Sequence, residues 1–292
     1  MINKDQYEKV EKLILKLINT GKFEENEENL KILKDAKILE EHLYNEIMKG
    51  NLVMAYQPKF EPNAKQSKSA EALFRTNEEF FINPEVAFAL FKMTGDHEKN
   101  VVDKQIEKIC SDLSILTYNV DPNYCVSINV AMDLIDNNFC KNLFENLKKN
   151  GISSKNIEIE LLEGENFDNI PQTTKQAIEK LQSNGINIAL DDYGSANANE
   201  NAFYKLDFDT LKLDKKIINS AHENDYDTIK KIHKMATQKN PNIKIIVEGV
   251  EHLEEVKKLQ EIGNFSYQGW YFSKAISLEK IISDFGSKKT FS

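Results

Sequence analysis

The chain is predicted to form an α/β protein, a modified TIM (β/α)8 barrel with an N-terminal helical extension. Three observations lead there. Eight short apolar runs with strand character alternate with helical segments from Leu52 onward. Several of those helical segments stop at a glycine just before the next run. Polar residues recur at the downstream ends of the runs, and in such barrels the strand ends meet on the face where chemistry is built. The main alternative, an open doubly wound sheet, lacks support because the chain has no glycine-rich phosphate loop.

Residues 1–38 are read as the helical extension, 39–285 as the barrel and 286–292 as a tail. In the first segment Val10, Leu13, Ile14, Leu17 and Ile18 form one stripe at helical spacing. Leu30, Ile32 and Leu33 begin a second helical segment, and Leu39, Leu43 and Ile47 mark a third. These helices either pack on the barrel or serve as a docking or dimerisation element. The strand candidates are Leu52–Tyr56, Ala70–Phe74, Tyr124–Ile128, Ile157–Leu162, Ile186–Leu190, Thr210–Leu213, Lys244–Val247 and Phe265–Tyr267. Gly151, Gly185 and Gly263 are expected to cap helices in the left-handed conformation, and Pro171 to sit in the first turn of the helix through Leu181.

With 292 residues and 40% hydrophobic content, the chain has enough apolar side chains for one large core. Acidic residues outnumber basic ones by 47 to 38, which argues against a non-specific DNA binder. A small anionic substrate remains compatible, because bound metals would set the local charge. Cys110, Cys125 and Cys140 show no paired spacing and read as free thiols. With no apolar leader at Met1–Asp5, they fit a reducing cytoplasm. No run approaches the ~20 apolar residues of a membrane span.

Glu71, Asn129, Glu160, Asp191, Asp192, Lys212, Glu248 and Gln268 are each expected at the end of a strand. Adjacent carboxylates such as Asp191 and Asp192 repel, and they need a cation or solvent. Taken alone, Asp192 would equally well cap a turn. Glu71, Asn129, Glu160 and Glu248 shift the balance, since all offer the oxygen ligands preferred by Mg²⁺ or Mn²⁺. A lone strand lysine is usually an edge residue, but beside such a cluster Lys212 would stabilise phosphoryl charge. Glu251 is the weaker partner of Glu248 and would equally start the next helix.

With these residues in place, the chain resembles the EAL-domain cyclic di-GMP phosphodiesterases from roughly Leu39 to Ile282. The landmarks run in the family's order, from Tyr56-Gln57-Pro58, Glu71-Ala72-Leu73-Phe74-Arg75 and Ser127-Ile128-Asn129-Val130 to Glu160-Leu161-Leu162-Glu163. Asp191-Asp192-Tyr193-Gly194, Leu211-Lys212-Leu213-Asp214, Glu248-Gly249-Val250-Glu251 and Gln268-Gly269-Trp270-Tyr271-Phe272 follow. The resemblance implies metal-dependent hydrolysis of cyclic di-GMP to linear pGpG with a two-metal Mg²⁺ or Mn²⁺ site. One metal would be held by Glu71, Asn129, Glu160 and Asp191, and the second by Asp191 with Asp192. Lys212, Glu248, Asp192 and Gln268 would serve the chemistry. Gln57, Leu73 and Arg75 would contact the dinucleotide, while Glu163 and Glu251 would support a loop. A homodimer is the common arrangement in the family.

The chain departs from the family pattern after the double aspartate. Tyr193-Gly194-Ser195-Ala196-Asn197-Ala198-Asn199 replaces a Phe-Gly-Thr-Gly-Tyr-Ser type loop, with Asn197 in place of the second glycine. Leu162 replaces a usual threonine, Thr76 a frequent aromatic residue and Ala275 a common proline. No metal ligand is lost. The alternative function is a non-catalytic cyclic di-GMP receptor or protein-interaction adaptor on the same barrel.

Overall fold

Asn3 opens the first helix with a reciprocal cap. Its side chain accepts from the Gln6 backbone N–H, and the Gln6 side chain accepts from the Asn3 backbone N–H. In the computed structural model, which describes residues 2–76, 82–93, 96–162, 167–194, 200–221 and 226–286, this helix, α1 (Lys4–Thr20), buries Tyr7, Val10, Leu13 and Ile14. Leu17 is half-buried and Ile18 exposed, so the apolar stripe is used mainly at its upstream end.

The two further helical segments expected between Leu30 and Ile47 are a single helix, α2 (Glu27–Met48). Lys34-Asp35-Ala36-Lys37 contains no glycine or proline to interrupt it, and Ala36 joins Leu39, Leu43 and Ile47 on the buried face. Helix α3 (Pro84–Met93) and the start of α4 (Asp96–Asn119) complete this unit, which comprises Met1–Met54 and Phe74–Lys108.

The second unit, Ala55–Leu73 with Ile109–Ser292, is built on an eight-stranded sheet whose spatial order equals its chain order. The strands are β1 (Val53–Lys59), β2 (Ser69–Arg75), β3 (Cys125–Asn129) and β4 (Ile157–Leu162). They continue as β5 (Asn187–Tyr193), β6 (Thr210–Leu213), β7 (Lys244–Val247) and β8 (Ser266–Tyr267). Strands β2 to β8 pair in parallel throughout. Antiparallel bridges from Tyr56 to Ile276 and from Phe60 to Tyr267 close the sheet across β1 and β8.

All eight expected strands are present, with ends that differ by up to three residues. The fold is a modified (β/α)8 barrel: β1 passes to β2 with no helix between them, and its downstream end runs against β8. The helices after β3 are α5 (Asn137–Asn150), α6 (Gln172–Ser183), α7 (Glu200–Lys205), α8 (Lys215–Ala221), α9 (Asp227–Lys239), α10 (Leu253–Ile262) and α11 (Leu278–Phe285).

Three local expectations need correction. Pro171 is the residue before α6 rather than part of its first turn. Gly151 ends α5 in the left-handed conformation and Gly185 is left-handed just past α6, but Gly263 after α10 is extended. A glycine stands at 263 for room: a Cβ there would lie 2.7 Å from Cδ2 of His233. Glu71 lies inside β2 and not at its end, with Arg75 as the last residue of that strand.

Strand alternation sends alternate residues to opposite faces. Ala70, Val126, Ile128, Ile159, Leu161, Ile188, Leu190, Leu211 and Leu213 form the apolar set, and all are buried. The other set is polar, and its members touch across strands that are not neighbours: Lys59 of β1 reaches Glu160 of β4, and Glu158 of β4 meets Thr210 of β6. Such contacts require the barrel interior. Barrels of this type are normally filled with branched apolar side chains, whereas this one is filled with charges.

The segment after β8 is fixed by Val250, whose N–H donates to the Gln268 carbonyl and whose carbonyl accepts from Tyr271 N–H. A Cβ on Gly269 between them would strike the Val250 backbone, 2.8 Å from its carbonyl carbon. Replacing Gly269 with Ala is therefore expected to destabilise the protein by about 2–3 kcal/mol, as overpacking against backbone does. Urea unfolding checks this, and a wild-type midpoint for the variant would refute the packing argument.

Candidate metal and active site

Glu160 is the fixed point of the site. Its side chain is fully buried, with Oε1 accepting from Lys59 Nζ at 2.7 Å and Oε2 from Lys212 Nζ at 2.8 Å. Burial alone would raise its pKa, but Lys212 and Lys59 reverse that and hold it down to about 2. Lys212 is not an edge residue. It is the third residue of β6, paired to β5 and β7 on either side, and only 1% exposed.

The Lys212 ammonium also lies 2.7 Å from Asp191, 2.9 Å from Glu248 and 3.5 Å from Glu71. Burial would lower its pKa, yet Asp191, Glu160, Glu248 and Glu71 together hold it well above the ordinary lysine value. One ammonium cannot offset all four carboxylates. Burial pushes Asp191 well up despite Lys212, with Glu160, Glu248 and Glu71 adding to the rise. Burial likewise pushes Glu248 up to about 7, again against the pull of Lys212, and raises Asp192.

Backbone geometry aims these groups. The β5–β6 pairing shifts register between Leu190 and Tyr193, and Asp192 is left-handed with φ 55°. Aspartate tolerates that conformation better than most residues, and a bulge re-aims side chains at a strand end. The Asp192 N–H donates to Asp191 Oδ1 at 2.9 Å. Glu71 is clamped on both oxygens at 2.6 Å, by Asn129 Nδ2 on one and Gln268 Nε2 on the other. Gln57 accepts a hydrogen bond from Gln268 at 3.2 Å and donates one to the Ser273 carbonyl at 3.3 Å.

Two carboxylate groups result. Glu71, Glu160 and Asp191 present oxygens within 4.8 Å of one another, as do Asp191, Asp192 and Glu248. Asp191 belongs to both. Asn129 Oδ1 is buried without a hydrogen-bond partner beside the first group, as is Gln268 Oε1. Buried carbonyl oxygens are normally satisfied, so these orphans and the excess of carboxylates fit a hard cation bound by oxygen. No histidine or cysteine belongs to either group, which disfavours zinc.

Other expected site residues fall outside this centre. Leu73 lies two positions beyond Glu71 on β2 and is half-buried. Arg75 belongs to the first unit, where it donates to the Phe74 carbonyl at 2.8 Å. Glu251 is exposed and precedes α10, its N–H bonded to Glu255. Glu163 and the altered loop at 195–199 lie outside the described residues. Lys59, Ser127, Glu158 and Thr210 were not singled out by the sequence reading. Period-two alternation in β3, β4 and β6 puts Ser127, Glu158 and Thr210 on the same face as Asn129, Glu160 and Lys212, whereas Lys59 lies beyond the expected end of the first strand at Tyr56.

Fold and site together define a parallel-sheet barrel with a paired carboxylate centre in its interior. Residues 40–275 match the model of the EAL domain family, and the chain belongs to that family. It is 25% identical over 256 residues to the probable cyclic di-GMP phosphodiesterase PdeB of Escherichia coli (strain K12), covering 87% of this chain and 48% of the relative. Over 152 residues it is 38% identical to the cyclic di-GMP phosphodiesterase PdeA of Borreliella burgdorferi, covering 51% of this chain and 22% of that protein. The chain thus spans half or less of the length of these relatives.

Among solved structures, the EAL enzyme Bd1971 in its cAMP- and cyclic di-GMP-bound form superposes with a TM-score of 0.77 at 21% identity, covering 86% of this chain and 69% of that one. The PaMucR phosphodiesterase complex with cyclic di-GMP gives 0.71 at 21% identity, covering 83% and 99%. At that identity the likeness establishes the fold.

The raised carboxylates set a pH dependence. Glu248 and Asp191 must lose their protons to bind a cation, so binding of Mn²⁺ should release protons and strengthen as pH rises toward about 7. Below that point the expected slope is about tenfold in affinity per pH unit for each proton displaced. Isothermal titration in two buffers of different ionisation enthalpy measures the release; pH-independent affinity with no proton exchange would contradict the assignment.

Proposed function

We propose that the chain is a metal-dependent phosphodiesterase that hydrolyses cyclic di-GMP to linear pGpG. The observation that carries this reading is Asp191, one carboxylate common to two oxygen clusters, with Lys212 packed against it. Family membership and the likeness to the cyclic di-GMP phosphodiesterases PdeB and PdeA support the substrate. Mg²⁺ or Mn²⁺ bound at the two clusters would polarise the phosphodiester and activate water, the chemistry of paired-metal hydrolysis.

In this reading Glu71, Asn129, Glu160 and Asp191 hold one ion, and Asp191 with Asp192 holds the second. Asn129 and Gln268 fix the Glu71 carboxylate, so its two oxygens cannot swing away. Lys212 supplies a permanent positive charge next to the phosphate and orients the attacking water. Glu248, pushed up to about 7, is suited to exchange a proton near neutral pH. Gln268 keeps its free amide oxygen toward the water. Gln57, Leu73 and Arg75 contact the dinucleotide, where a guanidinium pairs well with phosphate. Glu163 and Glu251 support the adjoining loop.

The same reading assigns residues 1–38 to a helical extension, 39–285 to the barrel and 286–292 to a tail. A homodimer and a cytoplasmic setting accompany it. No helix among the described residues is long and apolar enough to cross a membrane.

Incubating the purified chain with cyclic di-GMP and Mg²⁺ or Mn²⁺ should yield pGpG by chromatography, and a chelator should stop it. Glu71→Ala should abolish turnover, and Lys212→Ala should slow it by about 10²–10³-fold, the usual cost of a lost transition-state charge. Undiminished turnover in Glu71→Ala would refute the site. Binding of the dinucleotide without cleavage under either metal would identify a non-catalytic receptor or adaptor. Light scattering after size-exclusion chromatography should give twice the chain mass; a fully active monomer would remove the dimer from the account.

A further inference from the structure

We propose that Lys59 is a positioning residue for the metal centre, acting through Glu160 from beneath the site. This inference rests on the metal-dependent reading above and extends it to a residue outside both carboxylate clusters. Lys59 is 2% exposed, a lysine at the end of β1 pointing into the barrel. Its ammonium makes three hydrogen bonds, to Ser127 Oγ at 2.7 Å, Glu160 Oε1 at 2.7 Å and Glu158 Oε1 at 3.2 Å. A lysine has three donors, so all are used and the head group has one geometry.

The layer below is closed as well, because Thr210 Oγ1 donates to the other oxygen of Glu158 at 2.6 Å. Ser127, Glu158 and Thr210 are all buried. Glu160 therefore has its oxygens divided. Oε1 accepts from Lys59 and Oε2 from Lys212, and Glu160 contributes one ligand oxygen to the cluster with Glu71 and Asp191.

Two consequences follow for binding. Glu160 offers a cation one oxygen, which fits the tight octahedral demand of Mg²⁺ or Mn²⁺ better than a bidentate carboxylate would. Lys59 also fixes the carboxylate plane, and partners that orient a ligand in this way matter to affinity almost as much as the ligand itself.

The test is titration of the full chain with MnCl₂ alone, by calorimetry and by the electron paramagnetic resonance of bound Mn²⁺. In Lys59→Met the Mn²⁺ dissociation constant should rise about 10–100-fold, with a changed resonance line shape. The metal needed for half-maximal cyclic di-GMP cleavage should rise in parallel, while kcat at saturating metal stays within a few-fold of wild type. Ser127→Ala, which removes one of the three Lys59 partners and no carboxylate, should shift affinity in the same direction by less.

A folded Lys59→Met with wild-type Mn²⁺ affinity and line shape would overturn the proposal, even if its melting temperature fell. Should that variant fail to fold, unchanged affinity in Ser127→Ala would overturn it. Wild-type protein that binds Mn²⁺ but leaves cyclic di-GMP intact would defeat the hydrolase reading alone. Wild-type protein that binds no Mn²⁺ would defeat both.

Discussion

The structure of the barrel depends on one buried carboxylate held between two buried ammonium groups. Glu160 has no exposure, and neither Lys59 nor Lys212 has more than a trace. Isolated, each charge would be costly to remove from water. Together they form a chain of short hydrogen bonds that satisfies the interior where apolar side chains would otherwise stand. Breaking such a chain at one member leaves an uncompensated charge, which costs more than the intact pairing contributes. The polar interior is thus a constraint on every strand that faces it.

Charge balance changes along the barrel axis. At the lower level Lys59 answers Glu158 and part of Glu160. At the upper level Lys212 faces Glu71, Asp191, Glu248 and the rest of Glu160. Burial raises Asp191 and Glu248, the neighbouring carboxylates add to the rise, and the amide oxygens of Asn129 and Gln268 lie beside them without partners. A bulge in β5 and a left-handed Asp192 turn consecutive carboxylates into the same space, an arrangement a regular strand would forbid.

Much of this was legible in the sequence. All eight strands could be read because their apolar halves are strong, and the carboxylate cluster because carboxylates inside apolar runs are rare. Three kinds of feature were not. Glu71 was expected at a strand end, yet β2 continues to Arg75, since pairing length depends on neighbouring strands and not on local pattern. The helix through Ala36 was read as two, because apolar spacing is irregular there while backbone propensity is not. Lys59 lies three residues beyond the expected end of the first strand at Tyr56, because β1 continues to Lys59. Only its cross-barrel partners, which lie about 70 to 100 positions away in the chain, reveal its burial.

The sharing of Asp191 carries an evolutionary consequence. An aspartate codon becomes an asparagine codon by one base change. The resulting amide keeps the shape of the side chain while removing an oxygen anion on which both clusters draw. Without bound cations, burial and three neighbouring carboxylates oppose a charge on Asp191, and the neutral amide relieves that conflict. Loss of chemistry and a gentler fold therefore lie on the same mutational step. On the hydrolase reading, a lineage built on this barrel can exchange turnover for ligand retention in that one step.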